Sequence, residues 1–150
     1  MDAEERHALL DQLAAMPVRV SREAMMAVGK PRPAGEWSLN AVVGHFLRVE
    51  EEVWTPRFRQ MAKEENPHWE WWEPDGVDWE GEYGGQRLSE LVEKFVAQRM
   101  ANVEYLRRLP EAGWQRVATH RTFGVLDVAG LCREMLKHDE NHIGQIGKIE

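Results

Sequence analysis

Two histidines, His138 and His142, stand four residues apart in the run His138-Asp-Glu-Asn-His142, which continues as Ile143-Gly-Gln145-Ile146. On a helix this spacing puts one above the other with Cβ atoms about 5–6 Å apart, so both imidazoles can reach one metal ion. The surrounding period shows which face carries them. Val128, Met135, His142 and Ile149 recur every seven residues, as do Leu131, His138 and Gln145. Together the two series make the apolar seam of a bundle helix. Both histidines therefore occupy positions that call for apolar side chains, where a polar group is costly without a partner. Hydrogen bonds to neighbouring helices would satisfy one such histidine. A pair at this spacing equally fits two ligands of a helical zinc site, and a third ligand has to decide.

A third histidine sits in a similar place. The segment opening at Trp37-Ser38, with Ser38 suited to cap a helix, carries Val42, His45, Val49 and Val53 along one stripe, with Phe46 beside it. If this second helix runs antiparallel to the last one, His45 falls at the level of His142 and the three imidazoles converge. Gln145, one turn past His142 on the same face, is then a candidate to support a ligand imidazole or touch substrate.

The elements that must position these residues read as one all-α domain covering 1–150. The chain has 150 residues, 26 acidic against 19 basic for a net charge of −7, and a single cysteine. That is enough for a real core, and the acidic balance without a basic run argues against nucleic acid as a partner. No apolar stretch approaches the ~20 residues of a membrane span, and the opening Met1-Asp-Ala-Glu-Glu does not read as a signal peptide. Cys132 excludes an intramolecular disulfide, fits a reducing cytoplasm and reads as a core thiol.

Residues 3–28 form a first helix that Pro17 should kink or restart, closed by the breakers of 29–35. His7 reads as a surface residue. Residues 66–86 are acidic, aromatic and rich in breakers, too long for a tight turn. About 20 extended residues reach ~66–72 Å, whereas a helix of about 24 residues is only ~36 Å long. The segment can thus cross the bundle and leave the third helix parallel to the second. Trp69, Trp71, Trp72 and Trp79 in it are candidates to wall a pocket at His45, though covering the flank is the favoured reading; His68 is a weak further ligand. The third helix spans 87–109, with Arg99 and Asn102 beside its apolar stripe. Either could reach the pocket, but for Arg99 snorkelling to solvent is the expectation. Residues 115–123, with His120, read as irregular or briefly extended, Gly124 as a turn and Asp127 as the cap of the last helix.

With Trp37-Ser38, Gly44-His45, the His120…Phe123-Gly124 turn and His138-Asp-Glu-Asn-His142…Gln145-Ile146 in view, the chain resembles the DinB/YfiT-like superfamily over nearly its whole length. The resemblance implies a four-helix bundle of up-down-down-up topology, often a homodimer, with a divalent metal on three histidines that match His45, His138 and His142. Members of known activity include S-transferases and isomerases that use bacillithiol, mycothiol or glutathione. Many relatives carry an acid three places after the first histidine. Here that place is Arg48, and the role falls to Glu50 or Glu52 or is vacant.

Three histidines without a fourth protein ligand leave an open coordination position, as catalytic zinc sites do. The expectation is therefore a metal-dependent enzyme, with zinc or nickel, that transfers a low-molecular-weight thiol or hydrolyses a small substrate, Arg99 and Glu52 being further candidate contacts. The alternative is a non-catalytic, stress-linked metal- or ligand-binding dimer. Gly144 and Gly147, where another backbone can approach, together with the family's habit suggest a homodimer in either case.

Overall fold

The computed structural model describes residues 2–70 and 76–147. Its frame is four long helical segments. Helix α1 spans Ala3–Ala27 and opens with a capping box in which Asp2 and Glu5 satisfy each other's backbone N–H groups. Helix α2 covers Leu39–Val49, a π turn follows over Glu50–Trp54, and α3 continues over Thr55–Lys63. Ser38 caps α2 by accepting from the Ala41 N–H, as its sequence position suggested. After strand β1 (His68–Trp69) and the short helix α4 (Trp79–Tyr83), α5 runs over Leu88–Arg107. A turn of helix α6 (Glu111–Trp114) leads to β2 (Val117–His120), β3 (Gly124–Asp127) and the last helix α7 (Val128–Gly147). Asp127 accepts from the Gly130 N–H at the start of α7.

The strands form a small sheet in the order β1-β2-β3, with Trp69 opposite His120 in parallel register and His120 opposite Gly124 across the hairpin. Gly124 makes that turn at φ +75°, where a side chain would be strained. The stretch expected to be irregular or briefly extended thus contains a short strand, with Gly124 at its turn as expected, and the bundle remains mostly helical.

Successive polar pairs show how α5 lies beside the second segment. Asn40 reaches the Gln86 carbonyl, Glu50 meets Arg99, and Thr55 meets Asn102, so the two segments advance together. The apolar core falls into two clusters. One gathers Met16, Val20, Phe46, Leu91, Phe95, Ile143 and Ile146. The other gathers Leu9, Leu13, Val49, Trp54, Leu106, Leu131 and Met135. Between them along α5 come Arg99 and Asn102, and along α7 come His138, Asp139 and His142, all buried. A polar layer thus divides the core.

Both internal prolines shape that layer. Pro17 does not interrupt α1, which is continuous from Ala3 to Ala27. A proline at 17 leaves the Leu13 carbonyl without its helical donor. Here Arg99 Nη1 donates to that oxygen at 3.2 Å, so a side chain from another helix replaces the missing bond. Pro56 leaves the Glu52 carbonyl in the same position, and there the backbone yields instead. The Thr55 N–H bonds Glu50 in the wider π pattern. The inserted residue shifts the buried face by one, keeping Trp54, Phe58 and Met61 inside.

Candidate metal centre

The three histidines singled out by spacing meet in space. His45 from α2 and His138 and His142 from α7 each offer a ligand nitrogen, and these atoms all lie within 4.8 Å of one another. His45 Nε2 is 3.2 Å from His138 Nε2. Two imidazole nitrogens at about 2.0–2.1 Å from one zinc in tetrahedral geometry would be ~3.3–3.4 Å apart, so the spacing fits a shared divalent ion. All three rings are buried.

Gln145 lies one turn beyond His142 and contacts its ring. Its Oε1 accepts a hydrogen bond from His142 Nδ1, which leaves His142 Nε2 for the centre of the cluster. Indole and phenyl rings pack round the imidazoles. Trp79 lies 4.7 Å from His45, ring to ring, and Trp37 lies 5.3 Å from His45 and parallel to His142. Phe46 and Trp54 present edges to His138. Trp79 reaches this place through Gly44. A Cβ there would overlap the ring of Tyr83, and Trp79 stacks on that ring.

Several expectations need correction. Trp69 does not wall the cluster but is buried in the other half of the core, where its indole N–H donates to Gln60 and Arg57 covers its face. Burial lowers the pKa of that Arg57 to about 10. Its strand pairing with β2 is what draws Trp69 away. Trp71 and Trp72 lie outside the described residues. His68 is exposed on β1 and stays apart from the three histidines. Glu52 points to the surface and pairs with Arg48 at 3.2 Å, since Arg48 also meets Glu82 and draws both acids outward. Cys132 is the core thiol expected, its pKa pushed up to about 12 by burial.

Arg99 departs furthest from expectation. It does not snorkel: its side chain is wholly buried, with Glu50 at 2.9 Å and Asp139 at 2.7 Å. Its Nε donates to both oxygens of Glu50, Nη1 to Asp139 and the Leu13 carbonyl, and Nη2 to Glu50 and Asp139. Asn102 donates to the second Glu50 oxygen and to Thr55. Burial works to lower the pKa of Arg99, but the charges of Glu50 and Asp139 outweigh it and raise it. Burial also raises the Asp139 carboxyl, against the pull of Arg99. Glu50 is thus committed to Arg99 and does not stand in for the acid that Arg48 replaces.

The family assignment follows from residues 4–146, which match the DinB superfamily. The chain belongs to the DinB superfamily. Among solved structures it is similar to YfiT from Bacillus subtilis, at 17% identity and a TM-score of 0.79, over 99% of this chain and 87% of that one. YfiT is described as a probable metal-dependent hydrolase with an unusual four-helix bundle topology. The likeness shows that this chain shares the four-helix fold. No curated protein matches the chain. Among the described residues, no helix is long and apolar enough to cross a membrane.

Proposed function

We propose that this DinB protein is a metal-dependent enzyme that holds one divalent ion, zinc or nickel, on His45, His138 and His142. Its substrate is a small molecule, to which it transfers a low-molecular-weight thiol or which it hydrolyses. The observation that supports this is the convergence of three buried imidazoles from two helices, with no fourth histidine, cysteine or carboxylate joining them among the described residues. A divalent ion at such an open site supplies Lewis acidity, lowering the pKa of a thiol or water in its shell.

The chain's own residues set the conditions. Gln145 orients the His142 ring, and Trp37 and Trp79 limit access of water from their side. Cys132, buried and held as the thiol, is set aside as a nucleophile.

The same reading takes the protein to be a cytoplasmic homodimer. Gly144 and Gly147 have open space where a Cβ would stand. Val18, Met25 and Met26 are exposed on α1, which packs against the same helix α7. A dimer mass in light scattering supports this part, and a 17.4 kDa particle refutes it.

The activity test is incubation of metal-loaded protein with a low-molecular-weight thiol and monochlorobimane, beside a panel of small esters and amides. Conjugation or hydrolysis that disappears on chelation and in His45→Ala supports the enzyme. Retention of the ion with no turnover of any substrate overturns it, in favour of a non-catalytic metal- or ligand-binding dimer.

A further inference from the structure

The buried ion network around Arg99 lies immediately beside the three histidines and shares both of their helices. Asp139 follows His138 directly on α7, and Glu50 follows His45 by five residues on the second helical segment. Arg99 grips both carboxylates with one planar fork, and none of the three side chains reaches solvent. A guanidinium forked to carboxylates fixes direction as well as distance, which a point charge would not.

We propose that Glu50, Arg99 and Asp139 are positioning residues that set the separation of His45 from His138 and His142, and so the geometry of the metal centre. This rests on the reading of the three histidines as a metal site.

Three features carry the inference. The fork ties the backbone of α7 at Asp139 to the second segment at Glu50, close to the point where His45 and His138 come within 3.2 Å. Asn102 also donates to Glu50 and to Thr55, which closes the π turn. The turn that follows the His45-bearing helix is therefore braced at both its ends. Lastly, Arg99 Nη1 is anchored by the Leu13 carbonyl that Pro17 vacates, so the fork itself cannot swing. Gln145 steadies the His142 ring locally. It does nothing for the distance between α2 and α7, which falls to the network.

The expected consequence is a change in metal affinity and ligand geometry without loss of the fold. Residues that orient metal ligands from behind typically cost about 10–100-fold in affinity when removed. The experiment uses Glu50→Gln and Asp139→Asn, which keep shape and remove one charge each. Asn102→Ala is added as a milder change, and Leu106→Ala, in the apolar core, as a stability control. Co(II) affinity is measured by competition with a chromophoric chelator, the Co(II) visible spectrum is recorded, and thermal melts are followed by circular dichroism.

Glu50→Gln and Asp139→Asn should bind Co(II) about 10–100-fold more weakly with shifted visible bands while still helical. Leu106→Ala should melt earlier yet keep wild-type affinity and spectrum. If the two charge variants fail to fold, Asn102→Ala decides, with weaker binding and a shifted spectrum expected. Network variants that fold and bind Co(II) with wild-type affinity and spectrum would show the network to be structural only, leaving the metal site intact. A wild-type protein that binds no divalent ion would overturn the metal site itself, and the positioning role with it.

Discussion

Two buried polar clusters lie side by side in this bundle and are built on opposite plans. Around Arg99, donors and acceptors match within the chain: all five guanidinium N–H groups meet oxygens of Glu50, Asp139 and Leu13. Around His45, three atoms of one kind converge on a point. The first arrangement pairs a cation with two anions, whereas the second brings together three groups of the same kind, as a shared divalent ion would require. Burial does not distinguish them, since all six side chains are buried. What distinguishes a binding site from an internal brace is the matching of donors to acceptors.

The contrast breaks most visibly if the brace is cut. Arg99→Met leaves two buried carboxylates without their cation, and loss of one member of such a set costs about 3–5 kcal/mol. Urea denaturation should show a loss of that size. A change under about 1 kcal/mol would mean that the network is weakly held.

Next in size is the loss of a convergent imidazole. His142→Ala should reduce metal affinity by more than about 100-fold, beyond the loss caused by supporting residues. Its circular dichroism should stay helical, because Val128, Leu131, Met135, Ile143 and Ile146 still bury the apolar part of α7. Mass spectrometry that still finds one ion per chain would remove His142 from the site.

The smallest effect sharpens the comparison with a buried imidazole outside both clusters. His120 Nδ1 accepts from the Thr122 and Phe123 N–H groups. Burial, aided by the charge of Arg57, lowers its pKa from the ordinary histidine value. The unfolded chain therefore takes up the proton first. This contribution to stability is complete above about pH 6.5 and is lost as pH falls toward the lower folded value. With chelator present, His120→Gln should lose less stability than wild type between about pH 8 and about pH 5.5. An equal or steeper loss in the variant would contradict the assignment.

The histidine cluster was legible in sequence because polar residues on an apolar period stand out, and His45, His138 and His142 do so at spacings a helix makes meaningful. The brace was not legible. Glu50, Arg99 and Asp139 are residue types that usually face water, and their pairing is non-local. One signal was present: Phe95, Arg99, Asn102 and Leu106 continue a single helical stripe. Snorkelling was the wrong resolution because two acids from other helices could enclose the charge. Pro17 was legible as a proline within the first helix, but the distant Arg99 donor that meets the Leu13 carbonyl was not. Pro56 was a readable cue for the irregular turn that follows α2. Trp37 gave only its place beside the Ser38 cap, and its packing against His142 depends on two helices meeting.

The carbonyl of Leu13 has a consequence for folding. Arg99 is satisfied by groups on α1, on the second segment and on α7 together, from its own seat on α5. A partly assembled bundle lacking any one of these would leave Arg99 a partner short and its ion pairs open to water, where such pairs contribute little. Intermediates with three docked helices are therefore disfavoured, and the chain should fold as a single cooperative unit. In kinetic terms, docking of α1 is tied to closure of the whole bundle rather than left as a late, separable step.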